Sequence, residues 1–235
     1  RRRHTRYGTV TGVQTCALPI SYANGRITLP AGLADAYQQF SADGWSSLVL
    51  PEEFGGQALP EIAQGALSEF TNGASLAFSM LTTTGRAASR VLEAHAPDDI
   101  KALYLPKLVS GEWAGTIVMT EPHAGSDIGL ARTKAEPQAD GSYKISGTKI
   151  FISFGDHDAT EQICHIVLAR VAGAPDGVRG LSLFLVPKII PNADGTLGEP
   201  NRLRPQRIEN KLGIHGSPTC EMLFDGATGW LLGEE

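Results

Sequence analysis

The sequence predicts a multi-domain α and β chain: a helical domain followed by an antiparallel β-domain. Three observations carry this. Apolar residues recur at helical spacing from Leu29 to about Gly111. After Trp113 the period changes, and short segments rich in β-branched residues stand between turn-forming clusters. Those segments follow one another with no helical pattern between them, which argues against a βαβ unit. The boundary falls close to residue 112, with no internal repeat or low-complexity linker.

In the helical half, PAGLADAYQQFSADG offers Pro30 for a first turn and repeats Leu33, Ala36, Tyr37 and Phe40 at helical spacing. WSSLVLPEEFGGQALP breaks at Pro51 and turns through Gly55-Gly56. PEIAQGALSEFTNGA sets Ile62, Ala66, Leu67 and Phe70 on one side of a second helix. ASLAFSMLTTTG and RAASRVLEAHA continue small, apolar and helical, a composition suited to close helix packing. APDDIKALYLPKLVSGE opens with Pro97 and Asp98, a helix start, and is expected to kink or break near Pro106.

In the β half the strands are WAGTIVM, YKISGTKIFIS, ICHIVLARV and GLSLFLVPK, punctuated by ADGS, FGDHD, AGAPDG and NADGTLG. Asp140-Gly141, between RTKAEPQ and YKISG, reads as a hairpin turn.

The 235 residues suffice for one large domain or two modest ones, and a composition 42% hydrophobic and 19% charged is that of a folded, water-soluble chain. Net charge is −5, unevenly placed: Arg1, Arg2, Arg3 and Arg6 lie in the first 20 residues with no acid, so the remaining 16 basic and 25 acidic residues stand at −9. That body disfavours nonspecific nucleic-acid binding. The apolar part of the leader, TVTGVQTCALPI, is too interrupted for a signal peptide, and its GVQTCALPI resembles translated sequencing-adapter read-through, so residues 1–20 are read as a non-native leader. Cys164 and Cys220 have no CxxC spacing and are expected as buried structural thiols. No apolar stretch has transmembrane length. A reducing, cytoplasmic setting fits best.

Several chemistries lack their motifs. GxGxxG after a strand, a P-loop, a GxSxG elbow and HExxH are all absent. Asp156-His157-Asp158 with His165 invites a metal reading. The stronger one is a polar loop tip, with His165 buried among Ile163, Ile166 and Val167.

One stretch, TEPHAGSD at residues 120–127, runs directly out of the first strand. Thr120 offers a hydroxyl, Pro122 stiffens the loop, and Gly125 allows backbone geometries closed to other residues. Ser126 and Asp127 can cap a following turn, and exposed amides there can receive an electron-rich ligand edge. By spacing alone, a strand ending in a capped turn explains the same residues, and both readings stay open.

MTEPHAGSD followed by RTKAE and DGSYKISGTKIFIS resembles the flavin-binding core of the acyl-CoA dehydrogenases. LPEEFGGQALP is similar to that family's helical-domain turn, and KLGIHGSPTCEMLFDG to its later β-domain strands, all in the right order from about residue 28 onward. The resemblance implies a helical N-terminal domain over 21–112, a β-barrel-like middle domain over 113–235, and a C-terminal four-helix domain that this sequence lacks. It implies FAD as cofactor. Ile117, Val118, Met119, Thr120, Gly125 and Ser126 would line it, with Thr120 on its pyrimidine side, and Phe151, Ile152 and Ser153 would form a second contacting strand. Where this chain has Phe151 and Ser153, many relatives have Trp and Thr; an apolar wall and a hydroxyl survive. Ser126 would face the acyl-CoA pantetheine.

The implied reaction is FAD-dependent α,β-dehydrogenation of an acyl-CoA to its trans-2-enoyl-CoA, with an electron-transfer flavoprotein as acceptor and a homo-oligomer, dimer or tetramer, as the working form. GTKIFISFGDHDATEQICHIVLARVAGAPDGVRGLSLFLVPK is most similar to the branch containing the 3-methylmercaptopropionyl-CoA and related long-chain dehydrogenases. In the family the catalytic base comes from the C-terminal domain, so no residue here is assigned that role, and this chain alone is expected to bind FAD weakly and to be inactive. Two other functions stay in play: a flavin oxidase of the same fold, and a non-enzymatic flavin-containing DNA-binding relative.

Overall fold

The structure, a computed structural model, describes residues 20–234; the leader read at 1–20 lies outside them apart from Ile20. The first element is a hairpin, β1 (Ser21–Ala23) and β2 (Arg26–Thr28), turned at Asn24-Gly25 with φ of 52° and 75°. An Asn-Gly pair takes that left-handed conformation readily. The hairpin packs on the β half: Ile27 is buried in its core, and the Tyr22 hydroxyl donates to the Pro205 carbonyl at 2.9 Å.

Four helices follow: α1 (Leu33–Ala42), α2 (Glu61–Ala74), α3 (Leu76–His95) and α4 (Asp98–Ser110). Leu33 and Tyr37 bury the inner face of α1 as their spacing predicts, whereas Ala36 is exposed. Ser75 caps α3 by accepting from the Phe78 N–H at 3.3 Å. Two expectations need correction. Of the stripe on α2, Ile62, Ala66 and Phe70 face outward, with Ile62 84% and Phe70 76% exposed, while Leu67 is half-buried; the helix also approaches α3 through polar residues, where Thr71 and Ser79 hydroxyls lie 3.3 Å apart. And α4 stays helical through Pro106. One lost N–H there is outweighed by burying Tyr104, Leu105, Leu108 and Val109.

The β half contains β3 (Ala114–Val118), β4 (Lys134–Pro137), β5 (Tyr143–Ser153), β6 (Ile163–Val171), β7 (Leu181–Pro187), β8 (Ile189–Pro191), β9 (Leu197–Pro200), β10 (Leu203–Ile208) and β11 (Thr219–Leu232). The sheet runs β10-β11-β5-β4-β6-β3, and β7 pairs with both β11 and β6, so β11, β5, β4, β6 and β7 close into a barrel. β8 and β9 form a separate hairpin. The hairpin read at Asp140-Gly141 joins β4 to β5 antiparallel. The pairings are antiparallel except two, β3 with β6 and β4 with β6. β3 and β4 lie end to end along one edge of β6, and residues 119–133 leave the sheet between them.

This placement accounts for β6. Its run ICHIVLARV is apolar apart from His165 and Arg170 because both faces are covered. Val167 and Ala169 enter the barrel core, while Cys164 and Ile166 meet Leu92, Tyr104 and Leu108 of α3 and α4. Cys164 and Cys220 are both free and fully buried, as expected, and burial pushes the Cys220 thiol up to about 12. α3 approaches β3 so closely that a Cβ on Gly115 would lie 2.5 Å from the Ala88 Cβ.

Candidate functional site

The loop between β3 and β4 is held from beneath by a buried ion pair. Glu121 is 3% exposed, and its carboxylate accepts from the Arg132 N–H at 2.8 Å, the Thr133 N–H at 3.0 Å and Lys149 Nζ at 2.9 Å. Lys149, on β5, is fully buried and also donates to the Met119 carbonyl at 2.8 Å. Burial alone would raise the Glu121 carboxyl, but these hydrogen bonds and the ammonium outweigh it and hold it below the ordinary carboxylate range. Burial pushes Lys149 down.

The rest of the loop follows from this anchoring. The Thr120 carbonyl accepts from Ile150 N–H at 2.8 Å, and Glu121 and Ala124 exchange backbone bonds of 2.8 and 3.1 Å. The carbonyls of Met119, Thr120, Glu121 and Ala124 are therefore all engaged within the protein. By contrast the N–H groups of Thr120, Gly125 and Ser126, and the Thr120 and Ser126 hydroxyls, make no hydrogen bond to the described residues. Four of the loop's carbonyls are thus engaged, while the Thr120 N–H, anti to the Met119 carbonyl across a trans peptide, and the N–H groups of the exposed Gly125 and Ser126 have no partner among the described residues. Gly125 does not use a left-handed conformation, and an added Cβ would only touch Thr120 Cγ2 at 3.5 Å. Asp127 sits at the start of a 3-10 turn (Ile128–Leu130) without capping it through its side chain.

β5 supplies the adjoining wall. Tyr143, Ile145 and Lys149 are buried on one parity, and then the register with β11 shifts between Cys220 and Met222. The bulge opposes two β5 residues to one on β11 and reverses the parity, so Ile152 is buried and Phe151 is 60% exposed. Phe151 takes φ of +61°, a strained conformation for an aromatic residue. Ser153 is fixed at its carbonyl, which accepts from the Thr116 hydroxyl at 2.7 Å.

Of the residues named from sequence, Met119, Thr120, Gly125 and Phe151 are brought to this surface, with Ser126 exposed at its edge. Val118 and Ile152 point into the barrel core and offer a ligand no side chain, while Ile117, half-buried, packs toward the helices. Glu121 and Lys149 were not singled out. The signal was available: a lysine on the inward parity of an apolar strand requires a buried partner.

Replacing Phe151 by Gly is expected to stabilise the chain by about 1 kcal/mol through relief of the positive φ, while removing the apolar wall. A urea melt showing lower stability for Phe151→Gly would contradict this reading of the bulge.

Beyond Ser126 the loop forms one side of a cleft of about 1090 Å³, lined among others by His123, Asp127, Leu130, Arg132, Arg170 and Val178. Arg170 ties its two sides together, donating to the Gly129 carbonyl at 3.0 Å and to the Pro175 carbonyl.

The Asp156-His157-Asp158 stretch is no polar tip. Asp156 pairs with Lys188 at 2.6 Å, Asp158 accepts from Leu29 N–H at 2.9 Å, and His157 is buried, because the loop is wedged between β2, α1 and the barrel. His165 is fully buried, as expected, between the Val186 and Gly155 carbonyls at 3.1 and 2.8 Å. Among the described residues no group of three or more His, Cys, Asp or Glu is placed to hold a metal ion.

Comparison with known proteins gives two family matches: residues 23–112 match the acyl-CoA dehydrogenase N-terminal domain and residues 116–227 the middle domain. A 3-methylmercaptopropionyl-CoA dehydrogenase of Ruegeria pomeroyi is 49% identical over 212 residues, covering 90% of this chain and 36% of that protein. A broad-specificity linear acyl-CoA dehydrogenase of Mycobacterium tuberculosis is 38% identical over 88% of this chain and 35% of its own length. The chain thus spans about a third of these curated relatives. Among solved structures, a Bacillus anthracis acyl-CoA dehydrogenase complexed with FAD matches with TM-score 0.70 and 25% identity, over 86% of this chain and 32% of that one.

Proposed function

Because the chain belongs to the acyl-CoA dehydrogenase family, we propose that the whole protein is an FAD-dependent enzyme that converts an acyl-CoA thioester to its trans-2-enoyl-CoA, and that this chain supplies the flavin face and the CoA cleft. One observation carries the proposal: a loop whose Met119 and Thr120 carbonyls are engaged by β5 while the N–H groups of Thr120, Gly125 and Ser126 and the hydroxyls of Thr120 and Ser126 have no partner among the described residues, beside an exposed apolar ring at Phe151.

That surface fits a flavin. The pyrimidine edge of the ring system is rich in acceptors, which the donors of Thr120 and Gly125 would receive, and Phe151 and Met119, 60% and 44% exposed, would cover its apolar part. When bound, FAD would take the substrate's β-hydrogen as hydride. Ser126, next to Asp127 of the cleft lining, would hydrogen-bond the pantetheine arm, and the cleft beyond would receive the rest of CoA. Residues 117–126 and 151–153 contain one carboxylate, Glu121, and it is committed to Lys149. Removal of the α-proton is therefore assigned to no residue of this chain.

The acyl group proposed is 3-methylmercaptopropionyl or a medium to long chain; the relatives above are named for 3-methylmercaptopropionyl-CoA and for linear acyl-CoA. An electron-transfer flavoprotein is the proposed acceptor; a chain in a solved structure concerned with an electron transferring flavoprotein of Acidaminococcus fermentans shares this fold with TM-score 0.71. Cytoplasmic location and a homo-oligomer remain part of the proposal. No described helix is long and apolar enough to cross a membrane.

The test is to titrate this chain with FAD and to mix the protein, extended to its relatives' length, anaerobically with acyl-CoAs. Weak saturable FAD binding without turnover by the chain, and loss of oxidised-flavin absorbance in the extended protein, are expected. Absence of bleaching with every acyl-CoA would overturn the dehydrogenase reading, and rapid reoxidation by oxygen would turn it toward an oxidase.

A further inference from the structure

The fully buried Lys149 has two partners of different kinds. One is the carboxylate of Glu121, which neutralises its charge; the other is the backbone carbonyl of Met119 at 2.8 Å, which has no other hydrogen-bond donor among the described residues. Met119 directly precedes Thr120, whose N–H and hydroxyl face outward. The peptide between them is a rigid plane, so drawing the Met119 carbonyl down onto Nζ drives the Thr120 N–H to the opposite side. On the other flank, Glu121 receives the N–H groups of Arg132 and Thr133 and closes the loop back to β4.

We propose, resting on the flavin reading above, that Lys149 is a positioning residue for the cofactor: through the Met119 carbonyl it fixes the peptide that aims the Thr120 N–H at the flavin, while Glu121 serves to make the buried ammonium tolerable. With Lys149 gone, the Met119 carbonyl has no inward donor. The peptide is then free to rotate and present an oxygen where the flavin edge needs an N–H, which changes an attraction into a repulsion.

The double variant Glu121→Gln/Lys149→Met separates this role from simple support of the fold. It buries no charge, and the single amide oxygen introduced by Glu121→Gln still accepts from one of the Arg132 and Thr133 N–H groups, which bond to different carboxylate oxygens in the parent. Its thermal melt is expected to fall by no more than the loss of one such hydrogen bond, while FAD titrated into the chain binds at least about tenfold more weakly, the order expected when a hydrogen bond to the ligand is lost and its dipole reversed. The visible spectrum of the bound flavin should also shift, which a merely structural role would not produce. A double variant that binds FAD with the parent's affinity and spectrum overturns the inference and leaves the flavin reading intact. A parent chain that takes up no FAD overturns both.

Glu121→Gln alone gives a second reading that does not need the double variant to fold. Lys149, charged or neutral, still reaches the Met119 carbonyl there, so the bound-flavin spectrum should lie nearer the parent's than the double variant's. The same spectral shift in both variants would assign the positioning to the carboxylate and overturn the route through Lys149.

Discussion

Lys149→Met alone is expected to cost the fold about 3–5 kcal/mol at neutral pH, the range found when one member of a buried ion pair is removed. The side chain it replaces is fully buried, and the carboxylate left behind is 3% exposed, so water cannot take the place of the ammonium. Two backbone amides and the half-exposed His123 ring, 3.4 Å from Oε2, remain near Glu121, but the amides do not balance a full charge. The sign with pH follows. In the parent, Glu121 titrates below its ordinary range, so its contribution is complete above about pH 4.3 and fades as pH falls through the lowered folded value. In the variant the unpaired carboxyl titrates higher and destabilises the fold when ionised. The stability gap between parent and variant is therefore widest near pH 7 and narrows toward pH 4. Urea melts at the two pH values check this; a gap under 1 kcal/mol at pH 7, or one that widens on acidification, would show that the pair does not hold the loop.

Lys149 also shows how far the sequence can be read. The switch from helical to strand periodicity gave the two-part architecture, because each period reports which face an element buries. The TEPHAGSD loop was recognised by its residue types, but its anchor lies on a strand 28 residues away, and strand alternation alone could have raised the question. Tyr143, Ile145 and Lys149 share one parity, so an inward Ile145 makes Lys149 inward too. The alternation fails two residues later, where the bulge turns Phe151 outward; that register shift depends on β11 and has no local sign. The outward face of α2 was illegible for a similar reason. An apolar stripe says that a helix has a preferred face, and only the tertiary arrangement says whether that face is covered. The parallel pairings of β3 and β4 depend on both strands sharing one edge of β6, a long-range fact absent from either segment. The Asn24-Gly25 hairpin was legible and overlooked, since that dipeptide is a strong turn signal.

Acidification is expected to unfold the chain through His157 before the carboxylates titrate. Its imidazole is 3% exposed, and Nδ1 accepts from the Ala159 N–H at 3.2 Å. That bond fixes the neutral tautomer with the proton on Nε2, which has no partner among the described residues. A second proton has to enter at Nδ1, where it breaks the bond to Ala159 and places a cation in the interior near Lys188. Burial, followed by the charges of Lys188 and His165, lowers the His157 pKa to about 3. Since the folded value lies below the unfolded one near 6.5, stability is intact above about pH 6.5 and falls by about 1.4 kcal/mol per pH unit from there toward pH 3. The loss is about 3 kcal/mol by pH 4.5 and on the order of 5 kcal/mol at its limit. His165 adds less: burial lowers it too, but the two carbonyls at its ring nitrogens favour the cation. An asparagine side chain in place of the imidazole can still accept from the Ala159 N–H and does not titrate. His157→Asn should therefore cost about 1 kcal/mol at pH 7 through lost volume, yet lose less than the parent between pH 7 and pH 4.5. Denaturant melts of both chains at those two pH values decide the matter: equal losses would place the acid sensitivity elsewhere. The loop that gives way would be the one tying Leu29 to the barrel through Asp158, so the helical half should loosen from the β half as His157 takes up its proton.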